Sequence, residues 1–229
     1  MTNRFFISAE TITENKFYIS DRTLLHQMTR VLRFKPGERL ELLDNSGKIY
    51  VSEVIDINKK EIKGKIIEVI DQPDAPKHKI NLCLALLKRD NFELVMQKAT
   101  ELGVSEITPV ISARCIKKIN NIPERWQKIV QEASEQSGRT KLPKINEVVD
   151  FKKALTKYST GIICYAAAKR SIRETDLPEK INLYIGPEGD FTDGEIEMAR
   201  KNKIEPVNLG SNVLRAETAA IAAMSLINL

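Results

Sequence analysis

The sequence predicts an α/β chain in two parts: a small β-rich N-terminal domain, then a mostly parallel sheet covered by helices. Three observations carry this. The first seventy residues are short segments of alternating polarity separated by turn residues. The stretch "DQPDAPKHK" (71–79) that follows holds two prolines, two aspartates and no apolar periodicity, so it reads as a linker. Beyond it, strand-like and helix-like segments alternate, and a parallel neighbour is reached through just such a crossover. The 229 residues suffice for one large domain or two ordinary ones, each with its own core.

Taken in order, "RFFIS", "KFYIS", "ERLELLD", "KIYVSEVIDI" and "EIKGKIIEVI" are the strands of the first part, with "DNSGK" and "NKKE" as hairpin turns between the last three. One helix, "DRTLLHQMTRVL", interrupts them. Asp21 is placed to cap it, and Leu24, Leu25, Met28, Val31 and Leu32 share a face. A strand-rich unit of this size fits a small barrel. In the second part "INLCLALL" is a buried strand, and "NFELVMQKATELG" is a helix with Phe92, Val95, Met96, Ala99 and Leu102 at helical spacing, closed by Gly103. "ITPVIS" is the next strand. The helix "IPERWQKIVQEASEQSG" has Pro123 in its first turn and an apolar stripe of Ile122, Trp126, Ile129, Val130 and Ala133. Strands "GIICYA", "INLYIG" and "PVNLG" follow, with helices beginning near Asp193 and near Arg215. Open parallel sheets bind ligands at the carboxyl ends of their strands, so the loops in "CYAAAK", "IGPEGD" and "LGSNVLRAET" are expected to converge on one pocket.

Composition narrows the function classes. Hydrophobic residues at 42% and charged residues at 29% place the chain among ordinary globular proteins. The longest apolar run, "AAIAAMSLINL", is too short to span a bilayer, and "MTNRFFISAE" has no extended apolar core of a signal peptide, so a cytoplasmic protein without membrane contact is expected. Three scattered cysteines fit reduced thiols, and with two histidines and no C-x-x-C the sequence offers no structural zinc set. No metal is expected. The net charge of +5 divides unevenly: residues 1–76 carry 12 basic and 12 acidic side chains, 77–180 carry 20 and 12, and 181–229 carry 4 and 7. A surplus of +8 in the middle segment is compatible with a polyanion such as RNA, and equally with a lysine-rich solvated surface.

Motifs then exclude several chemistries. "GDFTDGEI" has the glycine spacing of a P-loop but Glu195 and Ile196 where Lys and Ser/Thr are required. G-x-G-x-x-G, H-E-x-x-H and G-x-S-x-G are absent. In "LYIGPEGDFTDGE" (183–195), Pro187 fixes one φ while Gly186 and Gly189 permit angles closed to other residues, so the loop can present bare backbone to a ligand or be a simple strand-to-helix turn. "TDGE" has the capping-box pattern, with Thr192 as cap and Glu195 reaching back. In "LGSNVLRAETAAIAAM", Gly210 ends a strand, and Arg215, Glu217 and Thr218 stand at the mouth of an apolar helix as surface caps or as pocket lining.

"IGPEG" followed by "LGSNVLRAETA" resembles the paired motifs of the SPOUT superfamily of knotted RNA methyltransferases. With "HQMTRVLR", "KATELGVSEITPV" and "EASEQSGRTKLP" in the same order, the chain is similar over most of its length to the RsmE family of bacterial 16S ribosomal RNA uridine-N3 methyltransferases. The resemblance implies a PUA-like β-barrel RNA-binding domain (1–72) and a methyltransferase domain with a trefoil knot (73–229), a homodimer, S-adenosylmethionine as cofactor, and 16S rRNA of the small subunit or its assembly intermediate as partner. Carried over, the cofactor loops are Gly186, Pro187, Glu188 and Gly189, then Leu209, Gly210, Asn212, Val213 and Leu214. Asp190 stands where the family often has a second glycine; Asp tolerates a left-handed backbone better than most residues. Arg215 is a candidate for stabilising charge on the uracil, or for a salt bridge with Glu217. Arg139 is a candidate for reaching substrate or a partner subunit's cofactor, or a solvated residue beyond the Trp126 helix. Glu188 is a candidate base, or bonds turn amides. His26, Arg30 and Arg33 are RNA contacts, with packing of the small domain as the other role for His26, and Lys117, Lys118, Lys169 and Arg170 are candidates for phosphate contacts. A non-catalytic RNA-binding assembly factor and a methyltransferase of another RNA such as tRNA stay open as alternatives.

Overall fold

The structure, a computed structural model, describes residues 3–72, 76–116, 119 and 121–229, apart from the side chain of Arg89. The chain forms two compact units: Met1–Asp74 with Ser134–Lys141, and Ala75–Ala133 with Leu142–Leu229.

The first unit is a six-stranded sheet of β1 (Arg4–Phe6), β2 (Ile12–Thr13), β3 (Lys16–Ile19), β4 (Arg39–Leu43), β5 (Lys48–Ile57) and β6 (Ile62–Asp71), ordered β1-β4-β5-β6-β3-β2. All neighbours are antiparallel except β1 with β4. Alternate residues point inward, and Phe5, Phe17, Ile19, Leu40, Leu42, Val54 and Ile62 form the core. The helix expected there, α1 (Arg22–His26), is capped as expected, with Asp21 Oδ1 accepting from the Leu24 N–H at 2.8 Å. Its apolar face departs from expectation. Leu25 and Met28 are buried, whereas Val31 is 65% and Leu32 40% exposed. The cause is a π-helical turn over Gln27–Val31, whose wider winding carries later residues out of the 3.6-residue register.

The second unit holds a parallel seven-stranded sheet: β7 (Lys79–Ala85), β8 (Glu106–Ile111), β9 (Lys144–Ile145), β10 (Val149–Asp150), β11 (Gly161–Cys164), β12 (Lys180–Ile185) and β13 (Ile204–Val207). The order is β10-β8-β7-β12-β11-β13, with β9 on β8. The middle strands β7 and β12 are buried almost throughout, as near-continuous apolar runs in a parallel sheet should be. On the faces lie α2 (Arg89–Glu101), α3 (Glu124–Ser137), α4 (Phe151–Lys157), α5 (Asp193–Lys201) and α6 (Ala216–Asn228). The α2 stripe of Phe92, Val95, Met96 and Ala99 is buried, and Phe92 stacks on Trp126 of α3 at 4.5 Å between ring centroids. Pro123 precedes α3 rather than sitting within it, its carbonyl accepting from the Trp126 N–H at 3.0 Å. After edge strand β13, α6 turns back to pack on α2 and β12. Among the described residues no helix is long and apolar enough to cross a membrane.

Candidate functional site

Because the sheet is parallel, the carboxyl ends of β7, β11, β12 and β13 open on the same side, and the loops leaving them enclose a cavity of about 380 Å³. The three expected loops do converge there. Cys164, Tyr165 and Ala166 come from the end of β11, Gly186, Pro187, Glu188 and Asp190 from the end of β12, Leu209, Gly210 and Asn212–Arg215 from the segment between β13 and α6, and Ala216 and Glu217 from the first turn of α6. A fourth contributor was not foreseen: Lys88 and Asn91, where β7 passes into α2. The polar run "KRDN" after a buried strand was the available signal, since it too sits at a carboxyl end.

The β12 loop is built differently from the sequence reading. Neither Gly186 nor Gly189 takes a positive φ; the left-handed residue is Asp190, at φ 60°. The glycines are needed for close approach instead. A Cβ on Gly186 would stand 3.2 Å from two ring carbons of Phe191 and from Asp190 Oδ1. Gly189 is absent from the cavity wall, and a Cβ there would stand 3.3 Å from Arg114 Cδ. The Asp190 N–H closes the turn onto the Pro187 carbonyl at 2.9 Å, and Asp190 Oδ1 accepts from the Phe191 N–H at 2.8 Å. Burial raises the Asp190 carboxyl above its ordinary range, opposed in part by bonds from the backbone of Phe191 and Ala166.

Glu188 Oε1 accepts from the Lys88 N–H, the cap of α2, at 3.0 Å, so this carboxylate bonds a neighbouring loop amide. Downstream, Thr192 and Glu195 form the expected capping box of α5, and the buried Glu195 also accepts from the Ala113 N–H at 2.8 Å. Gly210 does use its freedom, at φ 131°. Val213 lines the cavity yet is 84% exposed, leaving an apolar face for a flat ligand to cover. Arg215 caps α6 with extended backbone, lines the cavity and is exposed. Among the described residues it has no ion pair with Glu217, whose Oε2 instead meets Asn91 Nδ2 at 3.5 Å. Cys164 in the wall is no nucleophile at neutral pH: burial pushes its thiol up to about 12. Among the described residues no group of three His, Cys, Asp or Glu is placed to hold a metal ion.

Comparison with known proteins bears on what this cavity serves. The model of the RNA methyltransferase domain family matches residues 73–228, and that of the RNA methyltransferase PUA domain matches residues 25–67. The chain belongs to the RNA methyltransferase family. It is 35% identical to ribosomal RNA small subunit methyltransferase E of Mesomycoplasma hyopneumoniae, covering 95% of each chain. It is 31% identical to the protein of the same name from Rickettsia conorii, covering 99% of this chain and 95% of the other. A solved ribosomal RNA small subunit methyltransferase E from Neisseria gonorrhoeae, bound to S-adenosyl methionine, superposes with a TM-score of 0.90 at 29% identity over 98% and 96% of the two chains.

Other expected site residues of this RNA methyltransferase are not among those that line the cavity. Arg139 is only 9% exposed and already partnered, which overturns its reading as a solvated residue, and it belongs to the segment Ser134–Lys141 of the first unit. His26, Arg30 and Arg33 are all exposed, with Arg33 at φ 56°, so His26 does not pack the small domain's core. Lys169 is exposed. Arg170 is paired with Glu205 at 2.7 Å and also donates to the Glu174 carbonyl at 2.9 Å, so its charge is partly committed. Lys117 and Lys118 fall outside the described residues.

Proposed function

We propose that this chain is an S-adenosylmethionine-dependent methyltransferase that modifies N3 of a uridine in the 16S ribosomal RNA of the small subunit. The observation that carries the reading is the cavity at the carboxyl ends of β11, β12 and β13, walled by backbone-rich loops and the apolar Leu209, Val213 and Leu214. Its size is within the ordinary range of small-molecule sites, about 300–1,000 Å³. The names of full-length relatives, and the S-adenosyl methionine in a solved one, support the same assignment.

S-adenosylmethionine, when bound, supplies a methyl group on a sulfonium that needs no further activation. The chain's own residues do the rest. Leu209, Val213 and Leu214 would flank the adenosine, and the loop amides and carbonyls near Gly186 and Gly210 would serve its polar groups. Alignment of the uridine N3 with the methyl is the main demand on the site, because a well-oriented pair reacts as a single molecule would. Arg215, facing the cavity with its guanidinium unpaired among the described residues, stabilises the negative charge that spreads over the uracil oxygens as N3 gives its proton to water. Glu188, bonded to the Lys88 amide, holds its loop to the start of α2 rather than taking that proton.

On this reading residues 1–72 are the RNA-binding domain and 73–229 the catalytic one. His26, Arg30, Arg33 and Lys169 contact phosphates, the enzyme works as a homodimer in the cytoplasm, and Arg139 supports the fold rather than the chemistry. The return of α6 from edge strand β13 to the middle of the sheet supports the trefoil knot. Mass spectrometry of 16S rRNA from cells with and without the protein tests the assignment. Loss of one N3-methyluridine on deletion, restored by the wild-type gene, is expected. A methyl lost from tRNA instead would redirect it. Unchanged RNA together with no saturable S-adenosylmethionine binding would leave a non-catalytic assembly factor.

A further inference from the structure

We propose that Arg114 is a positioning residue for the cofactor cavity, gripping the Pro187–Asp190 turn from outside through the Gly189 carbonyl. The inference rests on the reading that the cavity takes S-adenosylmethionine.

Arg114 lies in the loop after β8, a strand whose end contributes nothing to the cavity wall. Its Nη1 donates to the Gly189 carbonyl at 2.7 Å. The side chain lies along the glycine, since a Cβ built there would meet Arg114 Cδ at 3.3 Å and Cβ at 3.5 Å. Gly189 is therefore bare for the sake of the arginine, not of the ligand. Gly189 is exposed, and the turn's own bond runs from the Asp190 N–H to the Pro187 carbonyl, so the Gly189 carbonyl is held by Arg114. A hydrogen bond from a charged donor is stronger than one between neutral groups, so Arg114 is a firm tie for such a carbonyl.

The residues on either side, Glu188 and Asp190, both line the cavity. Fixing the Gly189 peptide thus fixes the backbone between two residues of the wall. The same loop grips a second point: the Ala113 N–H donates to the buried Glu195 at the start of α5. Residues 113 and 114 thereby hold the segment 189–195 at both ends. Without Arg114 the turn samples other arrangements, and apparent cofactor affinity falls in proportion to the fraction still in the binding shape.

Titration calorimetry of S-adenosylmethionine into the full chain tests this, with Arg114→Met keeping the aliphatic contact but no donor, and Arg114→Lys restoring one donor. Arg114→Met is expected to weaken binding about tenfold through that loss of competent population. KM for the cofactor rises, kcat is retained, and thermal stability and RNA affinity stay at the wild-type level. Arg114→Lys recovers part of the loss. Gly189→Ala, which pushes on the same contact from the other side, weakens binding in the wild type and adds nothing in an Arg114→Ala background. Wild-type binding matched within twofold by Arg114→Met overturns the proposal. So does a variant that loses RNA affinity while keeping cofactor affinity, which would make Arg114 a substrate contact. A wild-type chain that binds no S-adenosylmethionine instead removes the functional reading on which the proposal stands.

Discussion

Gly186→Ala isolates the steric role of the first glycine in "IGPEG". Gly186 has no positive φ, so alanine is unstrained there and the whole effect is the added methyl. That Cβ would lie 3.2 Å from Phe191 Cδ2, Phe191 Cε2 and Asp190 Oδ1. Carbon pairs prefer about 3.5–4.0 Å, so something must retreat by a few tenths of an ångström. Phe191 resists, being 2% exposed with its ring 5.1 Å from that of Phe151 in the core. Overpacking a core of this kind costs about 1–3 kcal/mol. The loop is the softer partner, tied by a few exposed bonds such as that from the Lys88 N–H to Glu188. Most of the displacement therefore goes into the cavity wall. The expected result is a loss of unfolding free energy below about 1 kcal/mol with S-adenosylmethionine affinity down at least ~10-fold, equivalent to about 1.4 kcal/mol. Urea denaturation and titration calorimetry read the two terms separately. A stability loss of about 2–3 kcal/mol with unchanged affinity would show that the core yields first and refute the partition. No change in either would refute the crowding itself.

Element type was legible wherever a period repeats. The alternating "KIYVSEVIDI" became β5 residue for residue, and the stripe of α2 is buried as its spacing requires. What failed lacked a repeat or broke one. α4 offers only Phe151, Ala154 and Leu155 in seven residues, too short for a period, and the π-turn after His26 shifts the register without any local residue announcing it. The order β10-β8-β7-β12-β11-β13 and the grouping of Ser134–Lys141 with the first unit are non-local, and a periodicity carries no information about which strand lies beside which. The loops of the site were legible for a topological reason, their place at strand carboxyl ends. Their inner workings were not. Composition marks a glycine but not which neighbour needs its bareness, so Gly186 and Gly189 were credited with the backbone freedom that Asp190 exercises, while Phe191 and Arg114 are what exclude a side chain.

Two further perturbations separate electrostatics from packing. Arg215→Ala should cut turnover by about 10²-fold, the scale of losing one donor aimed at developing charge, with cofactor and RNA affinities little changed; single-turnover rates at saturating substrate check this, and a normal rate would return Arg215 to a helix-capping role. Asp190→Asn concerns the carboxyl that burial raises above its ordinary range. With the folded pKa above the unfolded value of about 3.9, the folded chain binds more protons between the two, so the slope of unfolding free energy against pH is negative there. Asp190 therefore costs least stability at low pH, and its penalty grows as pH rises through the folded value and is then constant. Asparagine is neutral throughout and tolerates the left-handed φ of 60°. The stability of wild type minus that of Asp190→Asn should accordingly fall as pH is raised from about 4 and level off at higher pH, with all other titrations cancelling in the difference. A difference that grows with pH would mean that the bonds from Phe191 and Ala166 outweigh burial and hold this carboxylate in its ionised form.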